Sequence, residues 1–133
     1  MNIIASKIIT PDGTLLQSFS QHDCKIHDDL NGNLYGIDGG TVYQRIIGDV
    51  DDLEIICITD EDDFEVIRQE MYWGTYGKNS DQPARFVYLH EMSNDHIAAI
   101  LDTQKHLPEW KINIFKKELD YRQENNIYIK DIK

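Results

Sequence analysis

Apolar positions change their period once along the chain. Up to about residue 60 they fall in short β-branched runs separated by turn residues. The run Ile3 to Thr10 meets Pro11-Asp12-Gly13 and resumes from Thr14 to Ser20, the pattern of a hairpin with a three-residue, Gly-containing loop. Gln21 to Asp28 predicts a third strand. Asn31-Gly32-Asn33 predicts a turn into Leu34 to Asp38, and Gly39-Gly40 breaks the chain again. Thr41 to Ile47 and Leu53 to Thr59 complete five or six short strands, whose brief connections favour an antiparallel meander.

Beyond residue 60 the period becomes helical. Phe64, Ile67 and Met71 share one face of a helix expected over 61–73, with Asp62 and Asp63 in its first turn and Gly74 as its stop. A long polar loop, 74–84, leads to a short strand, Arg85 to Leu89. Ser93 is the expected N-cap of a helix that turns Ile97, Ile100 and Leu101 inward. Pro108 opens a last helix with Ile112, Phe115 and Leu119 as its apolar stripe. Ile127 to Ile129 has the character of a closing strand. The expected fold is therefore α+β: an N-terminal antiparallel β-meander followed by about three C-terminal helices. It forms a single domain over 1–133, mainly β over 1–59 and mainly α over 60–133.

Size and composition narrow the function. A chain of 133 residues that is 41% hydrophobic can bury a core without staples. Cys24 and Cys57 show no paired spacing and suit a reducing cytosol. No apolar run is long enough to span a membrane, and the first ten residues lack the basic start and cleavage site of a signal peptide. The net charge of −11 argues against polymeric nucleic acid or an anionic membrane as partner, since both are held by clustered Lys and Arg. Nine of the 24 acids lie between Asp49 and Glu65 with no base among them, so the remaining chain is close to neutral.

That acidic block lacks the ligand steps and central Gly of a calcium loop, and reads foremost as a solvated connection with a favourable helix start. A DNA-mimicking or protein-inhibiting face is the sharper alternative. The five histidines show neither HExxH nor HxH spacing, and no nucleophile motif stands out, so neither a metal centre nor an enzyme is expected. No cofactor is implied. The segment Tyr72-Trp73-Gly74-Thr75-Tyr76-Gly77-Lys78 is the most informative. Its glycine spacing is not that of a phosphate-binding P-loop. It nevertheless combines three aromatics that can stack on a base with a Lys, and Arg85 lies just beyond. A loop packed by its own aromatics is the plain alternative.

An ordered set of motifs resembles a known family: PDGT (11–14), HD (22–23), NGxxYxxDGG (31–40), WGTYGK (73–78), QP (82–83), SxDHIxAIL (93–101) and ELxYR (118–122). Together they are similar to the phage-borne anti-Thoeris sponges, the first-described type of Thoeris anti-defence protein. The resemblance implies a non-catalytic immune-evasion protein in the cytoplasm of an infected bacterium. Such a protein sequesters cyclic ADP-ribose isomers between the subunits of a homo-oligomer, a dimer or a hexamer built from dimers. Trp73, Tyr76, Lys78, Gln82 and Arg122 match positions expected to line that site, and Arg85 joins them on chemical grounds. Some members also bind cyclic trinucleotides through arginines of the N-terminal sheet. Arg45 matches one such position, whereas Gln21 stands where the family often has Arg, which puts a second nucleotide site in doubt because a charge-assisted phosphate contact is lost.

Overall fold

The computed structural model describes residues 1–75, 83 and 85–131. The chain divides into two compact units, Met1–Asp62 and Asp63–Lys133, so the expected change of character falls at the boundary between them. The architecture is mixed α+β, an antiparallel β-meander followed by three helices.

In the N-terminal unit six strands follow one another: β1 (Ile3–Ile9), β2 (Leu15–Gln17), β3 (Cys24–Asp28), β4 (Leu34–Asp38), β5 (Arg45–Ile47) and β6 (Glu54–Thr59). They sort into two antiparallel sheets of order β2-β1-β6 and β3-β4-β5. The first hairpin closes as its sequence demands. The Thr10 N–H donates to the Thr14 carbonyl at 2.9 Å, and Gly13 takes the left-handed conformation at φ 86° that this loop requires. The β3–β4 turn is held by the Asp29 carboxylate, which accepts from the Asn31 and Asn33 N–H groups at 2.9 and 2.8 Å.

Most of the buried residues lie on the central strand of each sheet. Ile8 of β1, Leu16 of β2 and Ile37 of β4 form a core cluster, and the half-buried Ile46 and Leu53 pack against it. Tyr35 is also buried, and its hydroxyl donates to Asp52 at 3.1 Å. Strands are shorter than their apolar runs at several ends. Residues 21–23 and 41–44 form turns instead of extending β3 and β5: the Asp23 N–H donates to the Ser20 carbonyl at 3.0 Å in the first, and Gly39 and Gly40, both at left-handed φ, bend the chain ahead of the second.

The C-terminal unit begins with α1 (Phe64–Glu70), which is shorter than its apolar pattern predicts. The helix stops early because Tyr72 and Trp73 enter a hairpin, β7 (Tyr72–Thr75) with β8 (Arg85–Tyr88), and aromatics favour a pleated surface. Next come a 3-10 turn over Leu89–Glu91, α2 (Asn94–Thr103) and α3 (Glu109–Glu124). Ser93 caps α2 as expected, its hydroxyl accepting from the His96 N–H at 3.0 Å. The buried face of α3 is Ile114, Phe115, Glu118 and Arg122, while Ile112 and Leu119 are only half-buried. Residues 127–131 are not a strand. They are nonetheless tied to the start of α2: the Asn94 N–H donates to the Ile129 carbonyl at 2.9 Å, and the Ile129 N–H donates to Asn94 Oδ1 at 3.0 Å.

Candidate functional site

The β7–β8 register places two of the expected ligand residues together. Trp73 lies opposite Val87 and Thr75 opposite Arg85, so Trp73 and Arg85 are diagonal neighbours on one face of the hairpin. Trp73 is half-buried, and its ring meets Phe115 edge-on, with centroids 5.6 Å apart at 80°. Arg85 is exposed, and its charge reaches His96. Burial pushes the His96 imidazole below its usual pKa, the Asp131 carboxylate opposes that shift, and Arg85 adds to it. Tyr76, Lys78 and Gln82 lie outside the described residues.

Arg122, expected among the residues lining the ligand site, is buried. Its side chain is 1% exposed. Nε donates to Glu118 Oε2 at 2.6 Å, one terminal nitrogen to Asn94 Oδ1 at 2.8 Å, and the other to the Leu89 carbonyl at 2.9 Å. Glu118 is fully buried and also receives a two-pronged contact from Arg68, at 2.8 and 3.0 Å. Arg68 in turn lies 4.3 Å from the centroid of the Tyr121 ring. The YR pair therefore belongs to a buried Arg–Glu–Arg network. Glu118 and Arg122, at helical i, i+4 spacing, are legible as a pair from sequence; their burial is not.

In the N-terminal unit a cleft of about 300 Å³ is lined by Phe19, Ser20, Gln21 and the segment from Gly39 to Tyr43. Gln21 is part of this lining, and its amide nitrogen lies 3.1 Å from the His22 ring. Arg45 is not among the lining residues. It starts β5 with its guanidinium 3.0 Å from Asp38, the side chain 72% exposed. Lys25 lies 5.4 Å from the centroid of the Phe19 ring and 2.9 Å from Asp23. Although partial burial opposes it, the Phe19 N–H and Lys25 hold the Asp23 carboxyl below its usual range. The aromatic lining from Phe19 and Tyr43 was missed in the sequence; the double glycine beside Tyr43 was its only signal.

The remaining titratable clusters are accounted for by local structure. His27 Nε2 meets Asp12 at 2.8 Å and the Thr14 hydroxyl at 3.1 Å. Both contacts fall on the same ring nitrogen, whereas a nucleophilic triad needs one partner on each. In the acidic block Asp49 caps the 3-10 turn over Val50–Asp52, Asp60 accepts from the Asn2 backbone and side chain at 2.8 and 2.7 Å, and Asp62 accepts from the Thr59 N–H at 2.8 Å. Among the described residues no group of three or more His, Cys, Asp or Glu is placed to hold a metal. None of the described helices is long and apolar enough to cross a membrane.

Comparison with protein-family models, with curated proteins and with solved structures finds no match.

Proposed function

We propose that this protein binds a cyclic ADP-ribose-type nucleotide and sequesters it without turning it over, acting as an immune-evasion sponge in the bacterial cytoplasm. The observation that supports this reading most directly is the shared hairpin face of Trp73 and Arg85. A half-buried indole and an exposed guanidinium at diagonal positions of one hairpin face are of the two kinds a compact nucleotide needs, a ring on which a base can stack and a charge-assisted donor for the phosphates. The motif residues Tyr76, Lys78 and Gln82 lie in the sequence between Thr75 and Arg85. Nanomolar affinity, about −12 kcal/mol, is within reach of such a set when a second subunit closes the site.

Arg122 acts in this reading as a positioning residue. It braces α3, the helix that carries Phe115 beneath Trp73. The cleft at Gln21 has the volume for one base or ribose, and in this reading it is the candidate for a second nucleotide contact.

A retention experiment tests the proposal. The protein is incubated with cyclic ADP-ribose isomers, freed of unbound ligand and heat-denatured, and the released material is analysed. Recovery of an intact isomer is expected. Failure to retain any isomer overturns the reading, and recovery of a hydrolysed product replaces it with an enzyme. Arg85→Ala, a change at an exposed strand position, is expected to weaken retention at least about tenfold, the worth of one charge-assisted hydrogen bond.

A further inference from the structure

The sheet β2-β1-β6 ends in an open edge. Leu16, Ile8 and Ile55 face one another across it in register. Leu16 and Ile8 are 9% and 0% exposed, but Ile55, the last of the row, is 47% exposed. The next row repeats the pattern, with Ser6 buried and its partner Cys57 exposed. The apolar layer thus stops one strand short of being covered. β6 has a hydrogen-bonded neighbour on one side only among the described residues, so alternate peptide groups on its other side lack ladder partners.

Natural edges of this kind are blunted by Lys, Pro or a bulge within the strand. β6, with the sequence EIICIT, carries neither Lys nor Pro; its one charged side chain is Glu54 at its first position, and its one register irregularity lies opposite Ile3 and Ala5 at its far end. Carboxylates flank it on both sides: Asp49, Asp51 and Asp52 before the strand, and Asp60, Glu61 and Asp62 after it. None of these six forms an ion pair with a Lys, Arg or His among the described residues. Their hydrogen bonds go to backbone, Asn2 and Tyr35 groups, and the Met1 ammonium acts on Asp60, which leaves the two groups net negative.

The charges decide the occupant. A second copy adding its own β6 antiparallel would set the carboxylates before one strand beside those after the other, and a parallel copy would stack like on like; both are repulsive. We propose that β6 is a docking edge for an extended segment of a partner protein, apolar at its centre and flanked on both sides by Lys or Arg. Main-chain pairing with β6 supplies the bond ladder, the segment's apolar side chains cover Ile55, and its basic flanks meet the two carboxylate groups. This surface is independent of the nucleotide reading.

The test uses the full chain and the peptide Lys-Lys-Thr-Val-Ile-Val-Thr-Lys-Lys, with a twin in which every Lys is Glu. Hydrogen exchange over residues 54–59 and titration calorimetry are the readouts. The Lys-flanked peptide is expected to bind and to slow exchange in β6. Its affinity should fall at least about tenfold between about 50 mM and about 300 mM salt, and the Glu twin should bind at least about tenfold more weakly. Ile55→Lys, at a side chain already half exposed, should preserve the circular dichroism spectrum and weaken peptide binding by a similar factor. Three results overturn the proposal: no protection of β6, equal binding of the two peptides, or an assembly state that Ile55→Lys dissociates, which would make the occupant a second copy.

Discussion

Replacing Arg122 by Ala separates a structural arginine from a ligand-binding one. The substitution removes three hydrogen bonds, to Glu118, Asn94 and Leu89. Asn94 Oδ1 keeps its bond from the Ile129 N–H, and Glu118 keeps both prongs of Arg68. The Leu89 carbonyl is left without the guanidinium. Breaking a buried ion pair from one side costs about 3–5 kcal/mol when the remaining charge is left unpaired; because Glu118 keeps Arg68, the expected loss is at the lower end, about 3 kcal/mol, part of it the penalty of the orphaned Leu89 acceptor. Against a total stability of about 5–15 kcal/mol this is a large fraction, and with an ordinary urea slope it lowers the denaturation midpoint by about 2 M. The assay is urea denaturation followed by far-UV circular dichroism, with the slope required to stay constant. Replacing the whole network by Arg68→Met, Glu118→Leu and Arg122→Met should be neutral or stabilising, because three charges no longer need desolvation. If Arg122→Ala instead loses less than about 1 kcal/mol and yet abolishes nucleotide retention, Arg122 is a ligand contact and its bracing role is wrong.

Three further outcomes follow from local geometry. Hydrogen bonds from Thr10 and then His27 hold the Asp12 carboxyl below its ordinary value of 3.8, so its contribution is present above that pH and is lost as pH falls below it; Asp12→Asn should flatten the fall in urea midpoint on acidification. At Gly39 a Cβ would lie 2.0 Å from the Tyr43 carbonyl oxygen at φ +88°, whereas at Gly13, with φ +86°, it would meet open space. Gly39→Ala should therefore lower the melting temperature well beyond Gly13→Ala, whose cost is the left-handed backbone alone, about 1–2 kcal/mol. Ser93→Ala should destabilise by about 1 kcal/mol through loss of the α2 cap, and hydrogen exchange near Asp131, the other partner of that hydroxyl, should quicken.

Elements with local causes were legible in the sequence. Pro11-Asp12-Gly13, Ser93 and Pro108 each fix backbone geometry within a turn of themselves, and each acts where expected. Long-range pairing was not legible. Nothing local tells Tyr72 and Trp73 to leave α1 for β8, because the period of Phe64, Ile67 and Met71 carries past the true end of the helix. The candidate site divides in the same way. Trp73 and Arg85 share a face because a hairpin register puts them there, which a reading of the segment as a loop did not anticipate. Arg122 has a residue type suited to phosphate, but its environment is set by α1 and by the Leu89 turn, both distant in sequence.

Asn94 bonds to Ile129 in both directions while its side-chain oxygen also receives Arg122. One amide residue thus does the work of a strand neighbour for the tail and of a counter-group for α3. The start of α2, the end of α3 and residues 127–131 cannot loosen one at a time, since each release strands a partner of the other two. The C-terminal unit should then open as one cooperative foldon, with the Ile129 amide exchanging at the pace of the helices and not at that of a frayed terminus.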